Sequence, residues 1–364
     1  MDNKKTYTAL GTMSGTSLDG LDLALCRFYY ENLTWRFEIL KAQTIGYSEE
    51  MKNRMGQAGL LSGFDLIRFH KEYGKYIGHE INIFLKDTEK PDIISSHGHT
   101  VFHRPEINLT FQIGDGAFIA AETGITTVAD FRNQDTALGG QGAPLVPAGD
   151  ELLFSEYHFC LNLGGIANFS YKDSGNIRKA FDICPVNIIA NYFAEKLGAQ
   201  FDRDGNFGKS GEIDYSLLNE LNEIDFYRNR SPKSLGREYI DEKIFPIFDK
   251  YQLSSESKLR TFYEHAAHQI AETVNTCKAT TLPPHADAPK ILITGGGAHN
   301  KFLTERLQAC FNPEIIIPDK KIVDYKEALI FAFLGVLRIE NINNCLSSVT
   351  GASKDNLGGL IYKV

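Results

Sequence analysis

The sequence predicts an α/β protein, and three observations carry that reading. Short apolar runs end in glycine clusters, as at Thr8–Thr12, Phe159–Leu163 and Ile291–Thr294. Between them lie longer segments whose apolar residues recur at helical spacing. A strand, a glycine turn and a second strand occur together twice, opening at Leu10 and again at Leu161. Strands that alternate with helices build layered α/β domains. The repeated unit points to two related domains whose equivalent hairpins face one cleft.

In chain order, Thr8–Thr12 and Leu21–Phe28 read as strands joined by Ser14-Gly15-Thr16-Ser17. Phe64, Ile67, Tyr73, Ile77, Ile81 and Phe84 predict a long amphipathic helix from about Ser62. Ile93–Ser96 reads as a strand, followed by His97, His99 and His103. Phe159–Leu163 and Ile166–Tyr171 form a second hairpin around Gly164-Gly165, and Ile177–Phe181 adds a third strand. A helix is predicted from about Ser255 to Cys277, and another from Tyr325 to Glu340. Ile291–Thr294 runs into Gly295-Gly296-Gly297, with a helix start near Asn300.

The chain has 364 residues, a length for two or three domains. Hydrophobic residues at 43% and charged residues at 23% are globular values and exclude wholesale disorder. A net charge of −8 with no basic block argues against nucleic acid or an anionic membrane as partner. The apolar stretch Ala328–Leu337 is too short to span a bilayer, and the first residues lack the apolar core of a signal peptide. Six cysteines include no C-x-x-C pair, which reads as reduced thiols in a cytoplasmic protein.

Phosphate binding needs several backbone N–H groups converging without side chains in the way, which favours glycine and small hydroxyl residues. Gly11–Asp22 supplies them, with Ser14, Thr16 and Ser17 as extra donors and Asp19 and Asp22 as metal-side carboxylates. The other reading of this segment is an ordinary hairpin turn. Gly208-Lys209-Ser210 imitates the end of a P-loop, but Arg203 stands where its first glycine is required. No G-x-G-x-x-G follows a strand and no G-x-S-x-G is present. His97, His99 and His103 suit the polar lining of a sugar or phosphate pocket better than a metal site. Asp182 ends a strand just before a helix, so it either faces a cleft or caps the helix. By residue type and position alone, capping is the more frequent role.

The motifs also form a set. GTMSGTSLDGLD (Gly11–Asp22), SSHGHTVFH (Ser95–His103), DFRNQDTALGGQGAPLVPA (Asp130–Ala148), LNLGGIANFS (Leu161–Ser170), GREY (Gly236–Tyr239), ITGGGAHN (Ile293–Asn300), EALIFAFL (Glu327–Leu334) and SVTGAS (Ser348–Ser353) span nearly the whole chain. In these stretches and their order the sequence resembles the anhydro-N-acetylmuramic acid kinase family of the hexokinase–actin superfamily.

The resemblance implies two ribonuclease-H-like domains with a central nucleotide cleft, residues 1–130 with 342–364 and residues 131–341. It implies ATP and Mg²⁺ as cofactors. Gly15, Thr16, Ser17, Leu18, Asp19, Gly20, Leu21 and Asp22 would lie against the phosphates together with Gly164 and Gly165. Gly295, Gly296 and Gly297 would lie near the adenosine. Asp182 matches the family's catalytic base, Arg132 and Glu327 match sugar-pocket positions, and Thr100 and His97 belong to a segment that also contacts the sugar. Members open a 1,6-anhydro amino sugar with water and phosphorylate its 6-oxygen in cell-wall recycling.

The chain departs from the pattern at Ile183-Cys184-Pro185-Val186-Asn187, where Thr-Gly-Pro-Gly-Asn is usual, and at His99, where glutamine is usual. These departures leave open a related anhydro sugar such as levoglucosan, or a sensor without turnover. A homodimer is compatible with the sequence and not required by it.

Overall fold

A computed structural model describes residues 4–15, 18–229, 233–281, 288–311 and 313–364. The chain divides into two units, Met1–Ser155 with Tyr325–Val364, and Glu156–Asp324.

The first unit is built on β1 (Lys5–Ser14), β2 (Gly20–Glu31) and β3 (Thr34–Gly46), followed by β4 (Ile93–Arg104), β5 (Leu109–Ile113) and β6 (Thr127–Ala129). The second is built on β7 (Phe159–Leu163), β8 (Ile166–Lys172), β9 (Arg178–Pro185), β10 (Lys290–Thr294) and β11 (Glu314–Ile316), and β12 (Leu360–Tyr362) returns to the first. Their sheets run β12-β6-β4-β1-β2-β3, with β5 on β4, and β11-β10-β7-β8-β9. In each unit three antiparallel strands are joined through the first of them to parallel neighbours. Both sheets thus run third-second-first-fourth and continue to a later parallel strand, β6 in one and β11 in the other. This is the ribonuclease-H-like arrangement, and the weak echo between Leu10 and Leu161 marks the first strand of each copy.

The central strands are apolar on both faces because both faces are covered. Leu21, Leu23, Leu25, Cys26 and Phe28 of β2 are all buried. The helix Gly63–Phe84 starts at Ser62, whose hydroxyl accepts the Asp65 N–H at 3.1 Å. It buries Phe69, Tyr73, Ile77, Ile81 and Phe84, whereas Phe64 and Ile67, expected on that face, are exposed. Stepping back seven residues from Tyr73 reaches Leu66, which packs against the core in their place.

The last long helix, Lys320–Ile339, begins five residues before its expected start and breaks at Tyr325 (φ −118°, ψ 15°), where the first unit resumes. Beyond the break it lies directly on β1 and β4. A Cβ on Gly11 would stand 1.8 Å from the Ala328 carbonyl oxygen, and the Ser95 hydroxyl donates to the Phe331 carbonyl.

The expected domain limits, near 130 and 341, fall instead at 155 and 324. Residues 131–155 join the first unit through two buried anchors. Asp135 accepts from Thr350 Oγ1, Asn356 Nδ2 and the Gly142 N–H, each at 2.8 Å. Asp150 pairs with Lys326 at 2.7 Å. All six cysteines are free, and only Cys310 is partly exposed. Among the described residues no helix is long and apolar enough to cross a membrane.

Candidate active site

Asp182 lies inside β9, which runs on to Pro185, directly opposite Asn168 of β8. The next helix, Asn187–Lys196, has Val186 at its cap position. The capping role considered from sequence is therefore not open to Asp182. Its carboxylate is held from three sides, by the Asn168 side-chain amide, the Leu235 N–H at 2.8 Å and the Ser234 hydroxyl at 3.2 Å. Burial raises its pKa above the ordinary 3.8, and the three hydrogen bonds pull the other way. The result is an oriented carboxylate with increased proton affinity.

The departures beside Asp182 do not fall on left-handed backbone. Cys184 is a buried strand residue, and Val186 has φ −133°, so neither position requires glycine. Val186 is tolerated at a helix cap because the hairpin does the capping. The Gly165 carbonyl accepts from the N–H groups of Val186 at 2.8 Å and Ile188 at 3.3 Å, and the Gly164 carbonyl accepts from Asn187 at 3.2 Å. The Gly164-Gly165 turn and the helix N-terminus therefore form one unit.

Gly295–Gly297 follows β10, which pairs in parallel with β7. Gly295 has φ +80°, and a Cβ there would stand 2.6 Å from Asn162 Oδ1 and 2.9 Å from the Leu163 backbone. A Cβ on Gly297 would stand 2.7 Å from Leu163 Cβ, whereas Gly296 meets only Asn187 Nδ2, at 3.4 Å. Asn187 donates to the Leu163 carbonyl at 3.1 Å and so lies beside both glycine turns. It was not singled out from sequence; an asparagine opening the helix after a glycine hairpin was the available signal. Two glycine turns beyond the carboxyl ends of parallel strands form the usual position of a ligand in such sheets.

In the first unit the β1–β2 turn closes by the Leu18 N–H on the Gly15 carbonyl at 3.3 Å, with Leu18 at φ +58°. Thr16 and Ser17 lie outside the described residues. Asp19 is exposed, Gly20 packs against the Ile45 carbonyl, and Leu21 is fully buried in the core. Asp22 accepts from Thr44 Oγ1 at 2.6 Å. Leu18 also borders a cleft of about 480 Å³, with Met55, Leu60, His99 and Thr100 on its walls. Two expected contacts, Leu18 for the nucleotide and Thr100 for the sugar, thus share one cavity.

His97, His99 and His103 lie within β4 and do not follow it. A bulge there sets Thr12 opposite Ser96 but Ser14 opposite His99, and Gly98 at the bulge has φ +73°. Bulges re-aim side chains. His97 turns to Arg132 and the Phe331 ring, while His99 turns to Ser14. Burial pushes the His99 pKa down to about 4, so it enters the cleft as a neutral imidazole. Behind it Ser14 Oγ, 3.1 Å from Nδ1, accepts from Tyr47 OH, which lies 2.6 Å from Tyr73 OH.

Glu327 follows the break in the last helix by two residues. Burial raises its pKa above 4.5, with Arg132 and Lys326 drawing it back. Among the described residues it has no hydrogen bond and no ion pair within 4 Å. A half-buried carboxyl group without a partner is suited to receive a ligand donor.

Other polar clusters have structural roles. His265 is buried between Asn222 Oδ1 at 2.6 Å and Tyr227 OH at 3.0 Å, and burial pushes its pKa down to about 3. Glu264, His268 and Cys310 approach one another, but Glu264 is already held by Arg260 and Arg306. Gly208-Lys209-Ser210 closes a short helix whose Phe207 and Gly208 N–H groups bond Asp202. It is no phosphate loop.

The sequence profile of the family described as Anhydro-N-acetylmuramic acid kinase matches residues 7–364. The anhydro-N-acetylmuramic acid kinase of Hydrogenovibrio crunogenus is 33% identical over 385 residues, covering 100% of this chain and 100% of its own. That of Vibrio cholerae is 35% identical over 376 residues, covering 97% of each. That of Pseudomonas syringae pv. tomato is 32% identical over 381 residues, covering 97% of this chain and 98% of its own. The chain belongs to the anhydro-N-acetylmuramic acid kinase family, and with it to the phosphotransferases that act on a sugar hydroxyl.

Proposed function

We propose that the chain opens 1,6-anhydro-N-acetylmuramic acid with water and transfers the γ-phosphoryl group of ATP to its 6-oxygen, giving N-acetylmuramic acid 6-phosphate and ADP. The observation that carries this reading is the Asp182 carboxylate, fixed by three donors yet raised in proton affinity by burial. A general base must be oriented and willing to take a proton, and the three donors and the burial of Asp182 provide for both.

Water is a poor nucleophile at an anomeric carbon, so Asp182 takes one of its protons as the new C1–O bond forms. The C1–O6 bond breaks, and its electron pair stays on the 6-oxygen. That oxygen then attacks the γ-phosphorus, and ADP leaves. No separate acid is needed at O6, because phosphorylation consumes the charge. Glu327 accepts from a sugar hydroxyl or amide, Arg132 donates to a sugar oxygen, and Thr100, on the wall of the cleft beside Leu18 and His99, is a third sugar contact.

The backbone of the turn at Gly15, Leu18 and Asp19 serves the phosphates, as does Gly164-Gly165, and Gly295–Gly297 serves the nucleoside; Gly20, Leu21 and Asp22 spend their backbone on pairing with β1 and β3. Asp19 and Asp22 are hard oxygen donors that fit Mg²⁺, and Thr44 already orients one of them. An ion held there would supply positive charge to offset that of the phosphates. The physiological setting is the cytoplasmic reuse of cell-wall fragments.

An ADP-release assay with 1,6-anhydro-N-acetylmuramic acid, levoglucosan, N-acetylglucosamine and no sugar tests the reading. Release should depend on the first. Turnover with levoglucosan alone, or with no sugar, would overturn it.

A further inference from the structure

Among the described residues Arg132 has two hydrogen-bond partners, and both are neutral. Its Nε–H donates to His97 Nε2 at 3.0 Å, and Nη1 donates to the Gly142 carbonyl at 2.6 Å. A histidine nitrogen that accepts from a guanidinium carries no proton. The other ring nitrogen, Nδ1, stands 3.0 Å from the Gly98 carbonyl oxygen, which can only accept. Two independent contacts therefore require the same form of the ring, neutral with its proton on Nδ1.

The surroundings support that form. His97 is 5% exposed, and the Phe331 ring covers it at 4.6 Å between centroids. Burial, and then the charge of Arg132, holds its pKa well below 6.5. No carboxylate pairs with Arg132 within 4 Å among the described residues, and Nη2 has no partner there. Glu327 and Asp135 act on it only at longer range.

Most guanidinium groups held in place are held by a carboxylate, which also neutralises them. We propose that His97 is a positioning residue that fixes Arg132 through a neutral acceptor, leaving the charge and the outer amine of the guanidinium for the substrate. The Gly98 bulge is the backbone device that aims the ring. His97 itself then does not touch the sugar, because both its nitrogens are occupied. The inference rests on the proposed role of Arg132 as a sugar contact.

The experiment compares His97→Leu, which removes the acceptor at similar volume, with His97→Gln, whose Oε1 can replace Nε2. Binding of 1,6-anhydro-N-acetylmuramic acid is measured by calorimetry, and the KM for ATP separately. His97→Leu should weaken sugar binding roughly 10–100-fold, the range of a hydrogen bond to a charged group. The ATP KM should not change, and His97→Gln should restore most of the loss. The double variant His97→Leu/Arg132→Ala should bind no more weakly than Arg132→Ala alone. In the wild-type protein, ¹⁵N histidine spectra should show the Nδ1–H tautomer, unchanged down to pH 5.

Losses that multiply in the double variant would overturn the assignment, and an Nε2–H or titrating ring in the wild-type spectra would do so even if His97→Leu fails to fold. If Arg132→Ala binds the sugar as wild type does, the reading of Arg132 fails and this inference falls with it. If Arg132→Ala binds poorly while His97→Leu binds normally, only the inference fails.

Discussion

Asn168 stands directly opposite Asp182 across the β8–β9 pair and donates its side-chain amide to the carboxylate. Because an amide can turn over, Asn168 could equally accept from an asparagine at 182. Asp182→Asn is therefore expected to fold with little loss of melting temperature and to bind both substrates. Without a base, kcat should fall by roughly 10²–10⁴-fold. Turnover and calorimetric binding on one preparation check this, and turnover near the wild-type rate would remove Asp182 from the mechanism.

The same environment sets a pH dependence. Hydrogen bonds to the ionised form lower a carboxyl pKa, and burial, the largest influence here, raises it. Ser234→Ala deletes one of these donors, so the Asp182 pKa should rise. Activity requires the ionised form, and the acidic limb of kcat/KM should move to higher pH by about 0.5–1 unit. A limb that stays in place, or moves down, would show that another group controls it.

The two neighbouring glycines separate backbone strain from ligand approach. Gly295→Ala meets φ +80° and close backbone atoms, so it should lower stability as well as ATP use. A Cβ on Gly296 meets nothing nearer than 3.4 Å, and Gly296→Ala should melt like the wild type. A rise of several-fold or more in the ATP KM of that variant, with sugar binding unchanged, would then report the nucleotide itself. An unchanged KM would place the nucleoside elsewhere.

Asp135 is expected to matter for stability and not for chemistry. Asp135→Ala leaves the Gly142 N–H, Thr350 Oγ1 and Asn356 Nδ2 without their buried acceptor. Urea unfolding should show a loss of about 3 kcal/mol. A loss below about 1 kcal/mol would mean that water replaces the carboxylate.

The strands were legible because buried apolar runs ending in glycine leave few alternatives. Phe159–Leu163 was read residue for residue. Strand ends were harder. Polar His97, His99 and His103 read as a loop, yet β4 continues through them by pairing with β1 and β5, which local pattern does not reveal. The strand expected to end at Asp182 runs on to Pro185 for the same reason. The motifs located the glycine turns and the strand that carries Asp182. They did not show that His97 spends both nitrogens on the protein, that Asn187 touches both turns, or that Asp135 anchors its loop. Each of those depends on residues distant in sequence, and periodicity carries no information about them. The domain limits were missed for the same reason, since Asp135 and Asp150 find their partners some two hundred residues away.

The distribution of thiols gives the protein a built-in clock for its own opening. Cys26 and Cys345 are buried in one unit, and Cys160, Cys184 and Cys277 in the other. Burial drives the Cys26 pKa up and pushes those of Cys184 and Cys345 up to about 12, so little reactive thiolate forms at neutral pH. A disulfide reagent should therefore label Cys310 quickly and the other five only as fast as each unit unfolds. Read by mass spectrometry with and without substrates, the labelling rates would give the opening free energy of each half separately, with no probe introduced into the chain.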